Sequence, residues 1–290
     1  LDPPRPIFSD GAGFVMFGTM LHTSLRELAE QAPLSTTTAT ARGVLVEARQ
    51  LLRNALDHRT PETALTVWFS DLVLATLGCP AVVEKLSSPV TPTGDFARGD
   101  ALPTSEVVWF AENDNDVTGL VELLTSAGLI VGKPPTDGAE LLAARVDARL
   151  ISPAPGEQEL LRLAVSHRPP ALQALGGLPD PDMAVDVPAT LLRPIADVAR
   201  WVAPGERSTL GRLAAGHNRA LLSGDEAEAL SQAWETGVAL RFRWWADHVE
   251  SRQVVLGDLP ALHRSAYGAA ARQVAGVLRS LAGRHGIALS

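Results

Sequence analysis

Between Gly94 and Trp109 the chain reads GDFARGDALPTSEVVW, and here residue types and spacing come closest to a chemistry of anions and metal ions. Gly94 has no side chain to keep backbone N–H groups from an oxyanion. Asp95 beside it sets a negative charge at the same place, a repulsion that a bridging cation would have to offset. Arg98, Gly99 and Asp100 follow at once. Farther on, Glu106-Val107-Val108-Trp109 is β-rich, and strand alternation puts Glu106 and Val108 on one face. Glu106 is an oxygen ligand of the kind Mg²⁺ takes, whereas Val108 offers nothing to a metal.

More ordered motifs lie downstream. Residues 185–201 read VDVPATLLRPIADVARW, followed by Ser208-Thr209 with Arg212-Leu213, by Leu222-Ser223 ahead of an acidic helix start, and by Leu240-Arg241. Together with the glycine turn, this series over residues 34–290 resembles the bacterial nucleotidyltransferase and nucleotidyltransferase substrate-binding-domain family. That family occurs beside CBS domains and is similar to protein-PII uridylyltransferase. The resemblance implies a small DNA-polymerase-β-like domain in which a Gly-Ser pair receives a triphosphate and an acidic-apolar-acidic triplet presents two carboxylates to Mg²⁺. In this chain the turn is degenerate. Asp95 stands at the serine position, Glu106 is the surviving first acid, Val107 is the spacer and Val108 replaces the second acid. The implied nucleotide contacts are Gly94, Asp95, Arg98 and Gly99. Glu106 is the implied catalytic carboxylate and metal ligand, and Asp147 is the nominee for a third acid on a neighbouring strand. Arg193, Arg200 and Arg241 are candidates to line a cleft between domains, with His217 and Arg243 as neighbours. The competing reading pairs these cations with Asp197, Glu235 and Asp247 on the surface, where ion pairs contribute little. Glu112, Asp114 and Asp116 read as a solvated acidic loop, and Trp234, Trp244 and Trp245 as core or interface residues.

The elements that must position these groups follow from periodicity. The Pro/Gly-rich lead LDPPRPIFSDGAG cannot be a helix interior, and the start at Leu1 suggests a sequence upstream. A short helix is expected around Thr19–Gln31. Apolar residues at helical spacing predict a second over Thr40–Leu56. Thr60-Pro61-Glu62 opens a third that runs to Gly78, with Thr60 as cap and Pro61 in the first turn. Strand-like patterning is confined to the middle: Glu106–Ala111 and Leu129–Gly132, with a helix over Asp116–Gly128 between them and a helical pattern over Asp137–Arg149. Val82–Leu86 fits a helix end or a strand. Four helices are expected to form a C-terminal bundle, over Leu192–Val202, Ser208–Leu221, Asp225–Val249 and Leu262–Leu281. The fold expected is therefore mostly helical α+β. It divides into an N-terminal segment and helical pair over 1–88, a transferase-like α/β domain over 89–187 and a helical substrate-binding-like domain over 188–290.

Composition narrows the classes. A net charge of -8 gives no electrostatic footprint for nucleic acid. Cys79 is the single cysteine, so an intramolecular disulfide and a thiolate metal site are both excluded. No apolar run reaches the eighteen or so residues of a membrane span, and Phe14–Leu21 is too short for a signal peptide. A cytoplasmic protein is expected, with its oligomeric state open. Two functions remain: a pseudoenzyme that binds a nucleotide or a protein partner in signalling, and a working magnesium-dependent transferase.

Overall fold

The structure, a computed structural model, describes residues 21–112, 117–170, 174–175, 178–247 and 254–289. Most of the Phe14–Leu21 segment, Asp114 and Asp116 lie outside these residues, as does the end of the helix expected to reach Val249. The described chain is mostly helical around a small three-stranded sheet, the α+β class expected. No described helix is long and apolar enough to cross a membrane.

Three helices lead into the sheet. Helix α1 (Thr23–Gln31) starts inside the expected span, and α2 (Thr38–Asp57) opens on a reciprocal cap between Thr37 and Thr40. Such a cap satisfies two backbone donors that the first turn leaves over. Helix α3 (Glu62–Leu77) begins one residue later than expected, with Pro61 rather than Thr60 at the cap position, and stops before Gly78. It is buried on nearly every side. The segment left open between helix and strand is a single helical turn, α4 (Pro80–Val83), and Cys79 before it is buried.

Strand β1 (Thr91–Thr93) runs into the short helix α5 (Gly94–Arg98), which Gly99 ends in the left-handed region at φ 81°. After a loop comes β2 (Glu106–Phe110), central in the sheet. It pairs antiparallel with β1 in the register Thr93 to Val108, and parallel with β3 (Ile130–Val131) in the register Glu106 to Ile130. Helix α6 (Thr118–Ser126) makes the crossover between the parallel pair. Val107 and Trp109 point into the core while Glu106 is exposed and Val108 half-buried, the two-faced pattern that alternation requires. Helix α7 (Gly138–Asp147) follows. Asp147 therefore ends a helix, which corrects its expected place on a strand.

Helix α8 (Gln158–Ser166) and the two-residue strands β4 (Ala174–Leu175) and β5 (Leu178–Pro179) lie outside the elements expected from periodicity. A π-helical turn over Pro188–Leu192 leads into α9 (Arg193–Val202), with α10 (Thr209–Asn218), α11 (Gly224–Ala246) and α12 (Ala261–Arg284) after it. Ser223 and Glu226 cap α11 reciprocally. Helix α9 is the axis of this part: it packs on α8, α10 and α7, and it buries Ile195, Val198, Ala199 and Trp201 together with the carboxylate of Asp197. The two longest helices, α11 and α12, pack against each other, and α11 also touches α3. Trp234, Trp244 and Trp245 are all buried. Trp245 lies under the guanidinium of Arg53, whose Cζ is 4.3 Å from the ring centre.

Candidate functional site: a glycine turn clasped by a buried ion-pair cluster

Gly94 occupies φ 67°, and a side chain added there would meet no atom within 4 Å. The turn is open on this side. Behind it, Arg98 is buried at 3% exposure and reaches three carboxylates. Its Nη2 donates to Asp95 Oδ1 at 2.5 Å, its Nε to Asp100 Oδ2 at 3.0 Å, and its Nη1 to Asp147 Oδ2. A planar guanidinium carries its donors in a fixed fork, so three acids spread around it use the whole group.

Asp147 is the hub. Arg200 donates to it through Nε at 3.0 Å and Nη2 at 2.8 Å, and Arg212 through Nη1 at 2.7 Å. Arg200 also pairs with Asp197, whose carboxylate lies 2.8 Å from His167 Nδ1 and accepts from it when that nitrogen carries a proton. The other ring nitrogen of His167 lies 3.4 Å from Glu140. Burial works against the charge on Asp147, but Arg200, Arg98 and Arg212 together hold its carboxyl well below the usual carboxylate range. Burial likewise opposes the charge on Arg98, and Asp147, Asp95 and Asp100 overcome it. For Arg212 burial prevails and its pKa is lowered. Asp100 is pushed up by burial, against the pull of Arg98 and of Thr209, whose N–H and Oγ1 donate to Asp100 Oδ2 at 3.2 and 2.6 Å.

The C-terminal helices thus hold the turn from behind. Arg207 adds a strap: its Nε donates to the Ala97 carbonyl at 3.1 Å, its Nη2 pairs with Asp71 at 2.5 Å, and its guanidinium lies against Gly99. Arg241 reaches Thr104 Oγ1 at 2.8 Å, in the loop before β2. Of the cleft candidates, then, Arg200 enters the cluster, Arg241 touches the turn's loop and Arg193 stands exposed at the start of α9. His217 and Arg243 are exposed. Glu106 is exposed on the solvent face of β2 with Val108 beside it. Among the described residues no group of three or more His, Cys, Asp or Glu side chains is placed to hold a metal ion. A shallow pocket lined by Thr38, Val82, Lys85, Leu120 and Leu123 takes in no residue of the turn.

Residues 158–285 match the family described as putative nucleotidyltransferase substrate binding domain. The match begins where α8 begins and takes in α9 to α12, so the helix that the sequence reading missed belongs to the matched unit. No match was found among curated proteins or among solved structures. The matched residues supply Arg200, Arg207, Thr209, Arg212 and Arg241 to the clasp. In the sequence Arg212 and Thr209 stand in a motif that gives them no role, and Arg207 stands in none. Their acceptors lie far away along the chain, and only the pairing of motif cations with acids before residue 158 could have signalled them.

Proposed function

We propose that the chain is a nucleotidyltransferase-fold regulatory module that binds a nucleotide or a protein partner without transferring a nucleotidyl group. The observation that carries this reading is the position of Arg98. The one guanidinium in the turn is enclosed by Asp95, Asp100 and Asp147, and phosphoryl transfer depends on cations left free to meet developing charge. The donor set around Glu106 does not fit a two-metal clamp either, since Val108 shares its strand face and a clamp needs paired oxygen ligands. The C-terminal bundle gives the module its second half, a domain of the substrate-binding kind.

The exposure of Glu106 favours the second reading, a magnesium-dependent transferase in which Glu106 works with another acid. Incubation with ATP or UTP in Mg²⁺ or Mn²⁺ decides between them. The expected result is no pyrophosphate release above a protein-free control. Metal-dependent release that vanishes in Glu106→Ala would establish the transferase instead.

A further inference from the structure

Asp95 differs from the other acids of the cluster. Asp100, Asp147 and Asp197 are enclosed, whereas the Asp95 side chain keeps 42% of its exposure. Both of its oxygens are nevertheless taken. Oδ1 accepts from Arg98 Nη2 at 2.5 Å and Oδ2 accepts from Ser105 Oγ at 2.6 Å. Arg98 has committed Nε and Nη1 to Asp100 and Asp147, so Nη2 is the nitrogen it turns toward the open side of the turn. Ser105 is itself held, its Oγ accepting from the Leu102 N–H at 3.1 Å. A fixed guanidinium N–H and a fixed hydroxyl converge on one half-open position beside the empty space at Gly94. Side chains arranged so are what a phosphate oxygen or an external carboxylate would need.

We propose that Asp95 is the built-in occupant of this position: the chain supplies its own anion to a two-donor site, and no external oxyanion enters while that carboxylate is there. The donors concerned are the Arg98 and Ser105 side chains. The inference rests on the functional reading above and deepens it, because it says why a phosphate does not reach these two donors; a nucleotide bound by the module would make its contacts outside them. It concerns binding alone, with no metal and no transfer, so the two are tested separately. Pyrophosphate release by the parent protein would end the non-transferring reading, whereas the titration below decides this inference.

The experiment is calorimetric titration with inorganic pyrophosphate, in EDTA and low salt, of the full chain and its variants. Asp95→Ser removes the internal anion and leaves both donors. It is expected to bind pyrophosphate at least ten times more tightly than the parent. Adding Ser105→Ala is expected to abolish that gain, which a merely diffuse loss of negative charge would not explain. The isosteric Asp95→Asn keeps the volume and removes the charge, and is expected to give a smaller gain of about threefold. It serves in place of the serine variant should the latter not fold. A folded Asp95→Ser no tighter than the parent, a gain that survives Ser105→Ala, or a parent that binds as well as its variants would each overturn the proposal.

Discussion

The two sides of the glycine turn obey opposite rules. Behind it, Arg98, Asp147, Arg200 and Arg212 are withdrawn from water and each charge is answered by another within hydrogen-bonding distance. In front, Gly94 borders empty space, Glu106 projects from the sheet and Asp95 is half open. Residues of the same chemical type therefore carry very different consequences according to side. A carboxylate behind is part of the fold's electrostatics, and removing it strands buried cations. Glu106 in front is solvated, and its removal leaves water to fill the place, while Asp95 stands between the two sides, half open yet bonded to Arg98 and Ser105. The turn is anchored in charge at its back and is free for contact at its front.

Removing the hub should break the contrast most severely. Asp147→Ala leaves Arg98, Arg200 and Arg212 facing one another without their shared acceptor. A loss of about 3–5 kcal/mol in urea unfolding is expected, the range for stripping one partner from a buried ion pair. The acid limb of stability should change with it. The Asp147 carboxyl titrates below its ordinary value of 3.8 in the folded protein, so its stabilisation is fully present above that value and is lost as pH falls through and below it. Asp100, shifted upward by burial, takes its proton first in the folded state and offsets part of this loss. Unfolding measured between about pH 4 and pH 2 should accordingly show a steeper decline in the parent than in Asp147→Asn. Equal slopes would mean that the cluster is not held by this charge.

A smaller effect tests the seam between the two sides. Gly99 ends α5 at φ 81°, and a methyl group there would stand 3.3 Å from Arg207 Cζ. Gly99→Ala should cost about 1–2 kcal/mol, mostly for the left-handed backbone, since the Arg207 side chain can yield. Substitution at the front should do least. Glu106→Ala is expected to leave the free energy of urea unfolding nearly unchanged, within about 0.5 kcal/mol of the parent. A large loss there would show that the open face is as tightly coupled to the fold as the closed one.

Much of the architecture could be read from local pattern. The apolar stripes of α2, α11 and α12 and the alternation Glu106-Val107-Val108-Trp109 fixed their elements to within a few residues, because helix and strand periodicity are properties of neighbours in sequence. Helix α8 was hidden by brevity and by its setting between Pro155-Gly156 and Pro169-Pro170, although Leu160, Leu161 and Ala164 carry its apolar face. The partners of Arg98 were less accessible still. Asp100 is two residues away, but Asp147 is 49 away, and the contact of Asp100 with Thr209 spans 109. A guanidinium four residues after a glycine has the same appearance whether it awaits a ligand or has spent its hydrogens on the interior. Tertiary structure alone tells these apart.

The reach of those contacts bears on how the protein is cut for experiment. The recognised segment, 158–285, contains Arg200 and Arg212 but not Asp147, the acid on which both converge. Expressed by itself it would carry Arg212 without its acid and Arg200 with only Asp197 of its two, and its surface would be more cationic where α7 had been. A cut at residue 158 would therefore part Arg200 and Arg212 from the acid they share.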